Sequence, residues 1–232
     1  MSRDKIIEKQ FSDFCDTRQS YSQLKQDLAA LFFLGEGPGY FVEFGACDGV
    51  LLSNTFLLES YYKWDGILAE PVKYFHEVLK EKRKCSIETM CVSNLTGREV
   101  DFTEVKGIYC ISGINEYAND EFWDPDRKKY GETYKVNTIS LKDLLKKHGA
   151  PSLVDYLSID TEGSEYSILK AYDFSTKFNF ITIECPSDPQ KVMLDELLEN
   201  NGYVKVLESL SEFDRWYVSK NIYEGIYNGS MD

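Results

Sequence analysis

Phe41-Val-Glu-Phe-Gly-Ala-Cys-Asp-Gly49 runs from an apolar strand straight into a glycine loop, and the stretch carries two carboxylates, Glu43 and Asp48. A second apolar run, Gly66-Ile-Leu-Ala69, ends in Glu70. The two read as strands of a parallel sheet that form a nucleotide-cofactor pocket at its carboxyl edge. A loop built for a pyrophosphate needs bare backbone N–H groups at a helix N-terminus, where negative charge is unwelcome. Here Asp48 lies inside the loop, and of the G-x-G-x-x-G pattern only Gly45 and Gly49 are present. A carboxylate in that loop suits a ligand with positive charge, such as the sulfonium and ammonium of S-adenosylmethionine. Glu70 follows the loop by about 20 residues, the spacing at which an acidic side chain accepts hydrogen bonds from ribose hydroxyls.

Working outward, apolar spacing predicts one helix over 5–34, stopped by Gly35-Glu-Gly-Pro-Gly39. Strands are expected at Tyr40–Phe44, Gly66–Ala69 and Ser86–Val92, with helices at Leu51–Tyr62 and Val72–Lys82, the latter opened by Pro71. Glu99–Glu104 and Gly107–Ile111 read as further strands. Residues 112–133 form a long polar and aromatic stretch that includes Asn119, Phe122 and Trp123. A loop of that length in a compact domain tends to be functional, and its aromatic content argues against simple disorder. We read it as a substrate-facing insertion.

Regular alternation then returns. Strands are expected at Tyr134–Ile139, Val154–Ile159, Asn179–Ile183, Tyr203–Leu207 and Phe213–Ser219. Helices are expected at Leu141–His148, Ser164–Ala171 and from Ser187 to about Asn200, with an irregular tail from Asn221. Strands alternating with helices imply an α/β fold, Rossmann-like. Its sheet is mostly parallel and seven-stranded, with helices on both faces and an antiparallel edge hairpin. The chain reads as one domain over 1–232, with an N-terminal helical segment (1–37) and a core (38–220). Ligands of such sheets bind outside the carboxyl ends of the strands. Glu43 and Asp48, Glu70, Asp160 and Glu184 all fall at such ends, and that coincidence outweighs any one residue.

The chain has 232 residues, 43% of them hydrophobic, with a formal net charge of −13. That length and composition suit one folded α/β domain. So acidic a surface disfavours nucleic acid as a partner. The six cysteines match no zinc spacing and include no C-x-x-C pair, and no signal peptide or membrane span is visible. A reducing, cytoplasmic setting is the expectation.

Phe41–Gly49, Glu70-Pro71, Ile159-Asp-Thr-Glu-Gly-Ser-Glu165 and Ile181-Thr-Ile-Glu184 together resemble the FkbM family of S-adenosylmethionine-dependent methyltransferases, over about residues 38–210. The Asp-x-Glu-Gly-x-Glu segment is the most distinctive element. Glu43 stands where family members often carry Asp. The resemblance implies a class I methyltransferase, most often an O-methyltransferase. Its expected acceptor is a sugar hydroxyl, on a sugar nucleotide or a surface-polysaccharide precursor in bacterial glycan synthesis. A lipid, polyketide or amine acceptor is the alternative, and a non-catalytic Rossmann-like module a further one. The expected cofactor contacts are Glu43, Gly45, Ala46, Asp48, Gly49, Ser53, Asn54, Glu70, Pro71 and Asp160. Asp160, Glu162, Glu184 and His76 are the candidate acid–base residues. Asp160 and Glu184 would also suit a divalent metal ion. Glu165 reads as a helix-surface residue, and an exposed aromatic tail would support a homo-oligomer.

Overall fold

The structure, a computed structural model, describes residues 2–117, 124–185 and 187–227. In chain order the strands among them are β1 (Tyr40–Phe44), β2 (Asp65–Ala69), β3 (Ser86–Glu88), β4 (Cys91–Ser93), β5 (Glu99–Val105), β6 (Gly113–Ile114), β7 (Gly131–Ser140), β8 (Leu153–Ile159), β9 (Lys177–Glu184), β10 (Tyr203–Lys205) and β11 (Asp214–Ser219). The helices are α1 (Arg3–Cys15), α2 (Gln26–Leu34), α3 (Phe56–Tyr62), α4 (His76–Lys82), α5 (Asp124–Tyr130), α6 (Leu141–Lys147), α7 (Glu165–Ala171), α8 (Asp188–Asn200) and α9 (Lys220–Tyr227).

The seven-stranded sheet has the order β10-β11-β9-β8-β1-β2-β3. β1 pairs in parallel with both β2 and β8, and β8 pairs in parallel with β9. β11 runs antiparallel to β9 and to β10, so the expected edge hairpin is present. The strand order reverses between β1 and β8, which makes their carboxyl ends the switch point where such folds bind ligands. Side-chain alternation divides the core in two. Phe41, Leu68, Tyr156, Phe180 and Trp216 pack with Phe11 and Phe33 of α1 and α2 on one face. Val42, Phe44, Leu157, Ile159 and Ile181 pack with Leu144, Ile168 and Leu194 of α6, α7 and α8 on the other.

Several elements depart from the sequence reading, each through contacts distant in the chain. The helix expected over 5–34 is broken into α1 and α2. Buried Asp27 accepts bonds from the Ser20 hydroxyl (2.6 Å), the Tyr21 N–H (2.8 Å) and the Ser22 hydroxyl (2.7 Å), which fixes a non-helical connector. The helix expected from Leu51 begins only at Phe56, because the stretch before it is tied to Glu43 and Leu52 has a left-handed φ of 58°. Ser86–Val92 is two strands in different sheets, since the Glu88 carboxylate turns the chain by accepting from Thr89 and Met90 N–H groups. Gly107–Ile111 is a turn and a 3-10 helix rather than a strand.

Residues 112–133 contain β6 and α5, and β6 joins a second sheet of order β4-β7-β5-β6. Asn119, Phe122, Trp123 and Pro186 lie outside the described residues, as does the tail beyond 227. The tail from Asn221, expected to be irregular, is helical as far as Tyr227. Its Tyr223 carbonyl accepts from Arg3 (2.8 Å) across the whole length of the chain. Among the described residues no helix is long and apolar enough to cross a membrane.

Candidate active site

The glycine loop leaves β1 and passes directly over the end of β8. Gly45 has φ +75°, and a Cβ added there would lie 2.0 Å from the Asp160 carbonyl oxygen. Only glycine fits so close a backbone approach at that φ. Glu43 turns away from the loop opening. Its carboxylate accepts from the Asn54 N–H (2.8 Å), the Ser53 hydroxyl (3.1 Å) and the Thr55 hydroxyl. Fully buried Arg83 lies 4.0 Å from Glu43 and donates to the Gly49 carbonyl (2.9 Å) and to Glu59. Burial pushes the Glu43 carboxyl up, against Arg83 and these donors. Glu43 therefore braces the loop from beneath, with Ser53 and Arg83.

Asp48 accepts from the Val50 (2.9 Å) and Leu51 (2.8 Å) N–H groups and pairs with Lys82 at 2.6 Å. Burial pushes its carboxyl up, but Lys82 and the two N–H groups prevail and hold it below its ordinary value. Its charge is thus taken up by Lys82. Glu70, only 2% exposed, holds the other side of the loop by accepting from Cys47 N–H (2.8 Å) and Val72 N–H (2.8 Å). Burial pushes it up to about 7, despite those two donors. His76 opens α4, and its Nε2 sits 3.0 Å from the Glu70 carbonyl. Burial lowers its pKa. It lines neither of the cavities described below, so the structure does not bring it to the carboxylates of β8 and β9.

The ends of β8 and β9 bring Asp160, Glu162 and Glu184 together, with carboxylate oxygens within 4.8 Å of one another. The chain achieves this by a strained turn: Glu162 has φ +60°, and Gly163 follows at φ +121°, where a Cβ would meet the Tyr117 carbonyl at 2.6 Å. Glu165, expected on a helix surface, is instead 1% exposed. One of its oxygens accepts from Thr161 N–H (2.9 Å), Thr161 hydroxyl (2.9 Å) and Gly163 N–H (3.0 Å), which locks the turn. Arg127 of α5 approaches Glu162 at 3.2 Å and donates to the Ile111 carbonyl (2.6 Å). Burial and mutual repulsion push Asp160 well above the carboxylate range. Burial and Glu184 push Glu162 up to about 9, opposed by Arg127, and burial with Glu165 pushes Glu184 up to about 7. Burial and mutual repulsion thus raise the three carboxyls as a coupled set.

A cavity of about 400 Å³ opens on these residues, within the range of small-molecule sites. It is lined by Gly45–Asp48, Leu51–Asn54, Phe75, Gly107–Cys110, Ser158–Asp160, Thr182, Glu184, Phe213 and Asp214, with Gln23 and Gln26 from the N-terminal segment. A smaller lobe of about 50 Å³ shares Gly45, Cys47, Tyr109, Cys110 and Asp160 with it and adds Glu70, Pro71, Val72 and Glu162. Glycine loop, Glu70 and carboxylate cluster thus line two adjoining cavities at the switch point.

The sequence profile of the methyltransferase FkbM domain matches residues 43–205, more than half of the chain. The chain belongs to the FkbM methyltransferase family. No curated protein matches it in sequence. Among solved structures, the METTL16 methyltransferase domain aligns at 10% identity and TM-score 0.45, covering 85% of this chain and 67% of the other. A structure of the N-terminal domain of human METTL16 aligns at 9% identity and TM-score 0.39, covering 93% and 67%.

The FkbM match begins after α2 and ends before β11, so four lining residues, Gln23, Gln26, Phe213 and Asp214, come from outside it. Gln26 of α2 and Asp214 of β11 meet through a 3.0 Å hydrogen bond. Sequence reasoning missed both, and missed Arg127. Arg127 and Asp214 each reach the site across a tertiary contact that no local spacing encodes. Gln26 shows a weak signal, a polar residue followed by the apolar run of α2.

Proposed function

We propose that this FkbM protein is an S-adenosylmethionine-dependent O-methyltransferase acting on a sugar hydroxyl. The observation that carries the reading is the convergence of Asp160, Glu162 and Glu184 on the recess beneath the glycine loop. The cofactor supplies an electrophilic methyl on a sulfonium. Glu70 offers its remaining lone pairs to the ribose hydroxyls, and the glycine loop with Asp160 receives the methionine end. A sugar hydroxyl is a poor nucleophile and gains from a base whose pKa lies near the working pH. Glu184, raised to about 7, is that base and keeps the proton it takes, while the more strongly raised Asp160 and Glu162 stand beside it in their protonated form. Vicinal hydroxyls suit neighbouring carboxylates, which accept from both. The rest of the rate comes from holding oxygen, methyl and sulfur in line. The same three carboxylates would hold a hard divalent cation, which would lower the pKa of a bound hydroxyl.

Calorimetric titration with S-adenosylmethionine tests the reading, followed by measurement of S-adenosylhomocysteine release with a panel of sugars. Micromolar binding is expected, and Asp160→Asn should lower turnover by about 10²–10⁴-fold while changing cofactor affinity only a few-fold. Absence of cofactor binding overturns the assignment.

A further inference from the structure

We infer that Arg127 is a positioning residue, through which the insertion at 112–133 acts on the site. That role rests on the methyltransferase reading; the contacts themselves do not. No described residue of 113–133 lines either cavity, so α5 does not border them. Its Arg127 side chain, 10% exposed, instead reaches both from behind. Nε donates to the Ile111 carbonyl (2.6 Å) and Nη2 to the Glu162 carboxylate (3.2 Å). Ile111 ends the 3-10 turn Tyr109–Ile111, and Tyr109 and Cys110 line both cavities. Glu162 lines the smaller one and belongs to the carboxylate cluster. One planar guanidinium thus ties the wall shared by the two cavities to the carboxylates, with its donors in a fixed fork.

The packing around Arg127 fixes where this tie sits. A Cβ at Gly131, where β7 starts, would run into the Arg127 carbonyl oxygen and Thr103 Cγ2, so α5 is seated against β5. A Cβ at Gly113 of β6 would lie 3.4 Å from both Arg127 Nη2 and Glu162 Cβ, so the ion pair packs over this glycine. At its other end the turn is held by rings. Tyr109 stacks on Tyr74 at 4.7 Å with 3° between the planes, and Phe75 meets it edge-on at 5.1 Å. The turn's own bonds, from Ile111 N–H to the Ile108 carbonyl (3.2 Å) and from Ser112 N–H to the Tyr109 carbonyl (3.1 Å), set its shape but not its distance from Glu162. Arg127 sets that distance. Among the described residues no other cation pairs with Asp160, Glu162 or Glu184, and no Lys, Arg or His lines either cavity. Lysine in its place keeps the charge but brings a compact ammonium on a flexible stem, without the fork.

Hydrogen–deuterium exchange read by peptide mass, together with S-adenosylmethionine calorimetry, tests this. In Arg127→Ala, peptides covering 107–112 and 161–163 should exchange about tenfold faster or more, as expected for loss of a charged hydrogen bond. Peptides of β10 and β11, far from the tie, should change less than about twofold. Cofactor affinity should fall by about tenfold or more. Guanidinium at millimolar concentration fits the emptied place, and it should recover at least half of both losses while leaving the wild type unchanged. Should Arg127→Ala not fold, Arg127→Lys must show the same local pattern at threefold or more. Unchanged exchange in the two segments, equal acceleration throughout the chain, or no recovery with guanidinium overturns the inference. So does faster local exchange with cofactor affinity intact. Failure of the methyltransferase reading is seen separately: S-adenosylmethionine gives no heat with the wild type, while Arg127→Ala still shows the local exchange pattern.

Discussion

Glu70 braces the glycine loop, and in the proposed function it also faces the cofactor. Its two oxygens each accept one backbone N–H, from Cys47 and Val72, which leaves a lone pair on each, in the proposed function for a ribose. Replacing it by alanine strands both N–H groups in a buried place and removes the acceptor. Each loss of this kind is worth about 1–3 kcal/mol. Glu70→Ala should therefore weaken S-adenosylmethionine binding by about tenfold or more in calorimetry, with a fall of several degrees in melting temperature. Unchanged affinity with the lowered melting temperature would leave Glu70 as a brace of the loop alone. Cys47, beside it in the loop, is no nucleophile: burial and Glu70 push its thiol far up, so the thiolate is absent at neutral pH.

At the scale of elements, the loop between β1 and α3 is a unit clamped by a helix distant in sequence. Arg83, just beyond α4, reaches Glu43, Glu59, Ser53, Thr55 and the Gly49 carbonyl. Arg83→Met leaves Glu43 buried without its countercharge, a change that costs about 3–5 kcal/mol. A melting-temperature loss of roughly 6–20 °C is expected for a chain of this size, and Glu43→Gln in the same protein should restore part of it. A double variant as unstable as Arg83→Met alone would remove Glu43 from the clamp. The clamp also explains why one stretch was misread from sequence. Leu51–Tyr62 has helical periodicity, yet residues 51–55 stay non-helical because Glu43 and Arg83 capture their polar groups. What was legible was the strand–loop pattern at Phe41–Gly49, the acidic strand ends and the edge hairpin, all written in contiguous residues. The break at Asp27, the turn at Glu88 and the α9 contact with Arg3 depend on partners fixed only by the fold. So do Arg127 and Asp214 in the site.

At the scale of the whole molecule, the site stores like charge, and stability should report it. Glu184, Glu70 and Glu162 are raised to about 7, 7 and 9, and Asp214 to about 6. A carboxyl raised in the folded state binds protons more tightly there than in the unfolded chain. Its contribution is therefore fully present at low pH and is lost as pH rises from the unfolded value through the folded one. Asp48, Glu59 and Glu88 are lowered, with burial opposed by their cationic and N–H partners, and their contributions are lost only as pH falls through the acid range. The two windows leave a stability maximum near about pH 5, with decline toward pH 9. Glu184→Gln removes one of the repelling charges and should raise stability by about 1–3 kcal/mol at pH 8, less at pH 5, while abolishing turnover. Thermal melts of both proteins across pH 5–9 measure this. Parallel melting curves with no divergence at high pH would mean that the fold does not bear the cost of the charge gathered at its active site. Divergence would mean that stability is given up there for carboxyls that titrate near neutrality.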